Sequence, residues 1–348
     1  MYKIFIRPVL FLFDPENIHD FILNFVSKNT LFLPVFRFLY SPHKKNSHPD
    51  YFIAGNLKFK NKLGLSAGFD KNGIAVRFWE ALGFSHIEIG TVTPVAQSGN
   101  KKPRIFRLKK DNALINRLGF NNSGADEIRK NIEEAKKFTG KDFIIGVNIG
   151  KNKDTPITSA FEDYKICLEK LFPVADYFTV NISSPNTEGL RKLHEENYLD
   201  ELLSQIMKKN IELSELHSCE PKCIFLKIAP DLNSEMIESV FRIAVKNKIS
   251  GITATNTTVQ RPKLVKEIQE EGGLSGKPLK SMSGKVLKKL NDMNSKISGT
   301  KLFLVGSGGV FSRNDFDEKI KYGASLVQIY TGLIYEGPGI IRKILNKQ

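Results

Sequence analysis

Short apolar runs alternate with longer amphipathic stretches over the chain from residue 55 onward. Eight of these runs have the length and the apolar content of buried β-strands: Leu63–Ala67, Ile87–Thr91, Phe143–Asn148, Tyr177–Asn181, Ile224–Ile228, Gly251–Thr255, Leu302–Gly306 and Leu326–Tyr330. The gaps between them, apart from the shorter first gap, are long enough for crossover helices, so the pattern predicts a parallel sheet. Eight strand–helix units favour an α/β fold that closes into a (β/α)8 TIM barrel, in which the active site lies at the carboxyl ends of the strands.

The first 40 residues form a separate segment that is rich in aromatic residues, with ten Phe and Tyr side chains. Asp14 and Pro15 predict a helix start, because Asp is a good N-cap and Pro suits the first helical position. The apolar residues that follow have the spacing of one helix face: Ile18, Phe21, Ile22, Phe25 and Val26. Pro34 is expected to end or separate a second helix, and residues 41–49 have the composition of a linker. The pattern therefore predicts a small N-terminal helical domain, residues 1–45, in front of a barrel domain, residues 46–348.

Two short apolar helices cannot bury their apolar faces alone, so they must pack on the barrel, on a partner or on a bilayer surface. The sequence leaves docking on the barrel and membrane contact equally open. The longest early apolar run, Val9 to Phe13, is far shorter than the ~20 residues that a membrane-spanning helix needs. No small-residue cleavage site follows an apolar core, so a secretory signal is not expected.

The net charge and the cysteine content narrow the range of partners. The 348 residues have a formal net charge of +15, which favours an anionic partner. A membrane surface, a nucleic acid and acidic small molecules are all consistent with this charge, and so is a surface that is merely rich in lysine. Three cysteines offer no disulfide framework and indicate a reducing compartment. Because the chain has no HExxH motif and no cluster of His and Cys ligands, no catalytic metal is expected.

Polar residues and glycines occur at or just after the carboxyl end of every predicted strand. One asparagine in such a position is most often a turn former, but the coincidence at all eight strands indicates a site. Lys227 would be desolvated inside a barrel and therefore needs an anionic partner. Glycines after the seventh and eighth strands, including Gly309 and Gly332, match the usual phosphate site of such barrels. They indicate a phosphorylated cofactor or substrate, because unobstructed backbone N–H groups can cradle a phosphate.

The type of ligand follows in part from the amide side chains. No GxGxxG motif follows an N-terminal strand, which argues against a Rossmann nicotinamide domain. Asn116, Asn181, Asn186 and Asn256 would give a pocket rich in neutral donors and acceptors. Such a pocket suits a planar, uncharged ring with alternating C=O and N–H groups, for example a pyrimidine or a flavin.

Nine segments, in order and with compatible spacing, resemble those of the dihydroorotate dehydrogenases: AGFDKNG (67–73), IEIGTVTP (87–94), INRLGFNN (115–122), GVNIGKNKDTP (146–156), NISSPNT (181–187), LKIAPDL (226–232), TATNTT (253–258), GGLSGKPL (272–279) and SLVQIYTG (325–332). The resemblance extends from about residue 2 to residue 340. The helical extension with His19, and Ser184 where the soluble classes have a cysteine, are similar to the membrane-associated, quinone-reducing class 2.

The resemblance implies FMN as the cofactor and dihydroorotate, with its product orotate, as the substrate. It places FMN against twelve residues: Ala67, Gly68, Lys71, Thr91, Asn148, Asn181, Lys227, Thr255, Gly276, Gly309, Tyr330 and Thr331. It places the substrate against ten: Lys71, Asn116, Arg117, Leu118, Gly119, Phe120, Asn181, Asn186, Asn256 and Thr257. Ser184 is implied as the catalytic base that removes the C5 proton while the C6 hydride passes to N5 of FMN. Lys227 would stabilise negative charge on the flavin.

The same resemblance implies that reduced FMN passes its electrons, in a ping-pong reaction, to a ubiquinone or menaquinone. This quinone would reach the flavin among residues 1–40, with His19 and Arg107 as polar contacts. The expected role is a step of de novo pyrimidine (UMP) biosynthesis, performed by a peripheral membrane protein that is a monomer and binds no nucleic acid.

The expected location is the cytoplasmic side of a bacterial inner membrane or, alternatively, the mitochondrial inner membrane. Two competing interpretations are a tRNA dihydrouridine synthase and a non-catalytic binding module on a barrel scaffold. The first normally has a cysteine where this chain has Ser184.

Overall fold

The computed structural model describes residues 2–42, 51–187, 189–262, 264–265 and 268–346. The strands are β1 (Phe52–Ala54), β2 (Leu57–Phe59), β3 (Leu63–Leu65), β4 (His86–Val92), β5 (Ile105–Leu108), β6 (Ala113–Asn116), β7 (Ile144–Ile149), β8 (Tyr177–Asn181), β9 (Cys223–Ile228), β10 (Gly251–Ala254), β11 (Gly273–Gly276), β12 (Phe303–Ser307) and β13 (Leu326–Ile329). The helices are α1 (Arg7–Leu10), which continues a helical turn Tyr2–Ile6, α2 (Pro15–Lys28), α3 (Leu33–Tyr40), α4 (Val76–Leu82), α5 (Ala125–Lys136), α6 (Ala160–Leu171), α7 (Glu196–Leu216), α8 (Ser234–Lys246), α9 (Lys280–Lys296), α10 (Arg313–Lys321), α11 (Thr331–Glu336) and α12 (Gly339–Leu345).

Eight strands close into a barrel in the order β10-β12-β13-β3-β4-β7-β8-β9. Every neighbouring pair in this ring is parallel. These are the eight strands that the sequence predicts, and their ends differ from the prediction by at most two residues. The TIM-barrel prediction is therefore confirmed, and the carboxyl ends of all eight strands meet at one end of the barrel.

A short hairpin, β1 with β2, closes the amino end of the barrel. Phe59 of β2 is fully buried there against the first residues of the barrel strands. Inside the barrel, glycines leave room for large neighbours: a Cβ at Gly64 would lie 2.0 Å from the ring of His86, and one at Gly146 would lie 2.0 Å from the ring of Tyr177. The interior at this end is thus a packed core and leaves no channel through the barrel.

Two insertions form a small antiparallel sheet at the opposite end. It has the order β11-β6-β5, and β6 and β11 lie in the connections that follow β4 and β10. Asn116 at the end of β6 pairs with Gly273 of β11. This sheet brings the predicted segment around Asn116 over the carboxyl ends of the barrel strands. The strand-and-helix pattern did not predict it.

The N-terminal segment is helical, as predicted, but it contains more helix than the pattern indicates. The Asp14 carboxylate caps α2 by accepting the N–H groups of Glu16 and Asn17 at 3.0 and 2.9 Å. Pro34 lies in the first turn of α3, where the lack of an N–H costs no hydrogen bond, so it marks the beginning of the second helix. The turn at residues 2–10 was not predicted. Residues 43–49 of the predicted linker lie outside the described part of the chain.

The N-terminal helices dock on the barrel through one face. Arg104 and Glu16 form a buried ion pair, with Arg104 Nη2 2.6 Å from Glu16 Oε1. The Tyr2 hydroxyl donates to the carbonyl of Ile334 at 2.7 Å. Docking is therefore observed, while the outer face stays exposed, with Leu31 91% and Phe38 77% accessible. Within the described residues, no helix has the length and apolar content needed to span a bilayer.

Candidate active site

A polar cleft lies at the carboxyl end of the barrel, where the loops after the strands meet the β5–β6–β11 sheet. Seven of the eight barrel strands contribute wall residues, either from the strand itself or from the loop that follows it. The exception is β7. The lining residues that the sequence predicts are Ala67, Gly68, Lys71, Thr91, Asn116, Leu118, Gly119, Phe120, Asn181, Ser184, Asn186, Lys227, Thr255, Asn256, Thr257, Gly276, Gly309, Tyr330 and Thr331. The predicted residues thus converge on one cleft.

Asparagine side chains form a hydrogen-bonded floor under this cleft. Asn181 donates through Nδ2 to Thr91 Oγ1 at 2.9 Å and to Asn148 Oδ1 at 3.1 Å. Asn256 donates through Nδ2 to Ser183 Oγ at 3.0 Å, and Ser183 donates in turn to Asn181 Oδ1 at 3.0 Å. Because each amide is fixed by a neighbour, the orientation of its remaining donor and acceptor is set before a ligand arrives.

A second pair of asparagines lies on the rim. Asn186 donates through Nδ2 to Asn116 Oδ1 at 3.3 Å. The first residue comes from the loop after β8 and the second from the end of β6. This contact joins the barrel loop that carries Ser184 to the antiparallel sheet above it.

Lys227 is buried at the end of β9, 6% exposed, and faces Glu88 of β4 with Nζ 3.8 Å from Oε1. The prediction that a buried Lys227 needs an anionic partner is therefore met by a residue that the sequence reasoning missed. The Glu88 carboxylate also accepts hydrogen bonds from Asn148 at 2.8 Å, Gln328 at 3.0 Å and Thr179 at 3.1 Å. These donors fix the Glu88 carboxylate beneath the cleft, opposite the Lys227 side chain.

Ser184 lies in the loop after β8 and is 5% exposed. Its Oγ accepts the backbone N–H of Asn186 at 3.2 Å. In the part of the chain that the structure describes, no imidazole or carboxylate hydrogen-bonds to this hydroxyl. The neighbouring N–H stabilises negative charge on Oγ, which is what a hydroxyl acting as a base requires.

Lys71 reaches the cleft from the loop after β3 and donates to Asn121 Oδ1. Burial, together with the positive charge of Arg104, lowers its pKa from the usual value to about 7. The ammonium is therefore partly deprotonated at neutral pH, and an anion in the cleft would favour its charged form.

The end of the cleft at β12 and β13 is lined mainly by backbone. Gly308, Gly309 and Gly332 line it, together with Gly276 of β11. Gly308 and Gly309 have φ values of +104° and +75°, which only glycine adopts without strain. Because these glycines have no side chains, their backbone N–H groups can approach an anionic ligand.

A second, mostly apolar cavity lies between the N-terminal helices and the barrel. Its walls include Ile18, Ile22, Val26, Phe36 and Leu333, with His19 and Arg107 as polar members. His19 Nε2 is 2.8 Å from the carbonyl oxygen of Phe69. Tyr330 lines both this cavity and the polar cleft, so one side chain separates the two.

Two of the residues predicted to contact FMN or the substrate do not line the polar cleft. Asn148 lies one layer deeper, between Glu88 and Asn181. The Arg117 guanidinium points away and pairs with Glu270 at 2.6 Å. Seven lining residues were not predicted: Ser66, Ser275, Leu279, Ser307, Val310, Gln328 and Ile329. Gln328 carried a signal, because a polar residue in the middle of an apolar strand indicates an interior position.

The chain matches a family model described as Dihydroorotate dehydrogenase over residues 53–347. It is 45% identical over 349 residues to the "Dihydroorotate dehydrogenase (quinone)" of Christiangramia forsetii, covering 100% of this chain and 98% of that protein. It is 46% identical to the protein of the same name from Janthinobacterium sp. strain Marseille, over 97% of this chain and 95% of the relative.

Solved structures agree with this match. The crystal structure of DHODH from Eimeria tenella in complex with ferulenol has a TM-score of 0.86 and 35% identity, covering 95% of this chain and 89% of that chain. The ligand-free form from the same organism has a TM-score of 0.81. The full-length match to quinone-type relatives includes the N-terminal helices that form the apolar cavity. The chain belongs to the dihydroorotate dehydrogenase family, within its quinone-type branch.

Proposed function

We propose that this protein oxidises (S)-dihydroorotate to orotate with a bound flavin mononucleotide and passes the two electrons to a quinone, as a step of pyrimidine biosynthesis. The observation that carries the proposal is the pair of adjoining cavities. One is a polar cleft with Ser184 and four asparagines, the other is apolar, and Tyr330 lines both. Such a pair allows a polar substrate and an apolar electron acceptor to approach one cofactor from different sides.

The hydrogen-bond donors of the polar cleft suit a flavin that has a ring system and one phosphate group, which is FMN. Lys227 and the asparagine floor offer an ammonium and amides to a ring system, while the glycines at the β12 and β13 end offer backbone N–H groups to a phosphate. When bound, a flavin supplies the two-electron chemistry, since it accepts a hydride and later returns two electrons to a quinone. The buried charge of Lys227 balances negative charge at its end of the cleft.

The substrate ring would bind between the rim and floor asparagines. Asn116 and Asn186 on the rim, and Asn181 and Asn256 on the floor, match alternating C=O and N–H groups of a pyrimidine. Lys71 attracts the carboxylate of dihydroorotate. Deprotonated Ser184 Oγ accepts the proton from C5 and becomes a neutral hydroxyl, and the N–H of Asn186 stabilises the negative charge that Oγ carries before this transfer.

The apolar cavity would admit the quinone, either ubiquinone or menaquinone. His19 and Arg107 are the polar groups that can reach a quinone oxygen. Burial lowers the pKa of His19, so its imidazole is neutral at physiological pH and can hydrogen-bond without a charge in an apolar wall. The cavity opens among helices with an exposed apolar outer face, which is where a lipid-soluble molecule would enter.

The outer face of the N-terminal helices would contact a membrane surface. Leu31, Phe38 and Phe5 are among its exposed apolar side chains, and the net charge of +15 favours an anionic bilayer. We place the protein at the cytoplasmic side of a bacterial inner membrane, as a monomer. The mitochondrial inner membrane is the alternative location.

Two experiments test the proposal. Identification of the released flavin tests the cofactor, and analysis of the products tests the reaction. The flavin released by heat from the purified protein is identified by mass spectrometry, and orotate is quantified after incubation with dihydroorotate and a short-chain ubiquinone. We expect FMN, and one orotate for each quinone reduced. A different flavin contradicts the cofactor, and orotate formation with fumarate or a nicotinamide in place of quinone contradicts the acceptor.

A further inference from the structure

A buried lysine lies directly behind the glycine end of the cleft. Lys319 of α10 is 2% exposed, and its stem packs on Gly306 of β12, where a Cβ would lie 3.3 Å from the lysine Cδ. Its Nζ donates to Ser283 Oγ of α9 at 2.5 Å. Neither residue lines the cleft.

Lys319 has no carboxylate partner in the described part of the chain. The charged groups around it are Lys280, Asp315 and Glu318. Both acids are engaged by Lys280, whose Nζ lies 2.5 Å from Asp315 and 2.7 Å from Glu318. A buried ammonium that is held only by a hydroxyl is costly, so an anion nearby would stabilise it. Burial lowers the pKa of Lys319 to about 8, because the charged form is poorly solvated there.

Ser283 connects this ammonium to the cleft. Its hydroxyl lies 3.2 Å from the carbonyl oxygen of Gly308 and 3.2 Å from that of Lys280. The carbonyl of Gly308 and the N–H of Gly309 belong to one peptide group. Within the described residues, the N–H of Gly309 donates to no acceptor, and Gly309 lines the cleft. A hydrogen bond accepted by the carbonyl polarises the peptide and makes its N–H a stronger donor.

We propose that Lys319 and Ser283 are positioning residues for the phosphate of the flavin, which they strengthen by polarising the Gly308–Gly309 peptide from behind. This inference rests on the proposed FMN cofactor. The charge of Lys319 acts on the phosphate through Ser283 and the peptide, without direct contact. It therefore affects a ligand with a phosphate and leaves the binding of the flavin ring unchanged.

The test compares FMN with riboflavin, which has the same ring and no phosphate. Dissociation constants of both are measured by flavin fluorescence on the full-length protein freed of flavin, at pH 7. We expect Lys319→Met to weaken FMN roughly tenfold, the worth of a charge-assisted hydrogen bond, and to leave riboflavin unchanged. Ser283→Ala, a milder change that also breaks the link, should weaken FMN in the same direction. Lys321→Met, in the same helix but exposed, is the control and should bind both ligands like the unaltered protein.

The pH dependence gives a second readout. Above about pH 7 the phosphate is already a dianion, since the second pKa of a phosphomonoester is about 6. Lys319 loses its charge as the pH rises through 8, so the preference of the unaltered protein for FMN over riboflavin should fall between pH 7 and pH 9.5. Lys71 also titrates in this range, but it is expected to act on the ring and the substrate. Because FMN and riboflavin share the same ring, its effect cancels in the ratio of their dissociation constants. In Lys319→Met the preference should be smaller and flat over that range.

Three outcomes would contradict either the role of Lys319 and Ser283 or the FMN cofactor, and they can be told apart. If Lys319→Met keeps the full preference for FMN, the inference is wrong and the cofactor proposal stands. If Lys319→Met and Ser283→Ala weaken FMN and riboflavin equally, the pair supports the fold and not the phosphate, which also overturns the inference. If the unaltered protein does not prefer FMN over riboflavin, the FMN proposal fails and this inference fails with it.

Discussion

At the residue scale, the proposed reaction requires that the Ser184 side chain accept a proton. An unperturbed hydroxyl is a poor base, and the described neighbours include no imidazole or carboxylate bonded to it. The structure offers the backbone N–H of Asn186, 3.2 Å from Oγ, which favours the deprotonated form. The hydroxyl is also buried from solvent, so this N–H is the described group that stabilises the negative charge of deprotonated Oγ.

Removal of the Ser184 hydroxyl should stop the first half-reaction. We expect Ser184→Ala to slow the reduction of the flavin by dihydroorotate by roughly 10²- to 10⁴-fold, the usual contribution of a general base. The rate is measured by anaerobic stopped-flow absorbance. In the unaltered protein it should rise from pH 6 to pH 9, because the deprotonated form of Ser184 accumulates.

Ser184→Cys is the matched control, because a thiol has an ordinary pKa of about 8.5 and is a base at lower pH than a hydroxyl. It should retain more activity than Ser184→Ala and level off at a lower pH than the unaltered protein. A flat profile in the unaltered protein between pH 6 and pH 9 would count against Ser184 as the base.

Lys71 should make the binding of orotate dependent on pH. Its pKa is lowered by burial and by Arg104 to about 7, so its positive charge is present below pH 7 and is lost as the pH rises above it. If only the charged form attracts the carboxylate, the dissociation constant of orotate increases roughly fivefold between pH 7 and pH 8. Titration of flavin absorbance with orotate measures it. Lys71→Met should bind weakly at every pH, and a constant affinity in the unaltered protein would contradict this role.

Single residues were predictable where one signal was strong. Lys227 was found because a lysine inside a barrel strand is unusual, and the structure adds Glu88 as its partner. Glu88 had the same signal, a charged residue at an interior position of β4, but the sequence does not tell which strands face each other across the barrel. Asn148 and Arg117 belong to the expected segments, yet neither lines the cleft, because Asn148 lies beneath its floor and Arg117 pairs with Glu270. Both placements depend on contacts that are distant in sequence.

At the scale of elements, the N-terminal helices are docked at their inner face and exposed at their outer face. Burial raises the pKa of Glu16, but hydrogen bonds from Arg104 and Lys102 lower it by more, so its pKa is below the usual value. The stabilisation from this ion pair is therefore present at neutral pH and is lost as the pH falls below the ordinary carboxyl pKa. On the outer face, Phe21 and Phe25 are exposed, although the periodicity assigned them to the buried stripe of α2.

The outer face should carry the contact with the membrane. We expect the double variant Leu31→Ser and Phe38→Ser to weaken binding to vesicles with anionic lipid by roughly tenfold or more, since two large apolar side chains no longer enter the bilayer. Co-sedimentation with vesicles measures this. Leu216→Ser in α7, where the leucine is 74% exposed, is the control and should bind like the unaltered protein.

Flavin reduction by dihydroorotate should be unchanged in the double variant, because the altered residues lie outside the polar cleft. Vesicle binding equal to that of the unaltered protein would show that these helices serve only to cover the barrel and its apolar cavity.

The eight barrel strands could be predicted because each is a short apolar run between amphipathic segments. The β1–β2 hairpin and strands β5, β6 and β11 could not be predicted in this way, because each strand has only three or four residues. The pairing of β6 with β11 also joins segments far apart in the chain, such as Ala113 with Gly276. Pro34 could be assigned to a helix boundary. Whether it ends one helix or begins the next could not be predicted, because proline is compatible with both positions.

At the scale of the whole molecule, the barrel brings together two chemical environments. Its loops form the polar cleft, the N-terminal helices cover an apolar cavity, and Tyr330 separates them. Under the proposed function, this arrangement would keep a charged, water-soluble substrate apart from a lipid-soluble acceptor while both reach one cofactor. It implies that the two half-reactions are independent and occur in turn.

Double-mixing anaerobic stopped-flow absorbance of the flavin tests this claim most directly. The protein is mixed first with dihydroorotate and then with a soluble ubiquinone analogue. We predict rapid bleaching in the first step and recovery of the oxidised flavin in the second, with the second rate depending on quinone and independent of Ser184. Bleaching by dihydroorotate without recovery by quinone, but with recovery by fumarate or a nicotinamide, would contradict the assignment of the apolar cavity to a quinone.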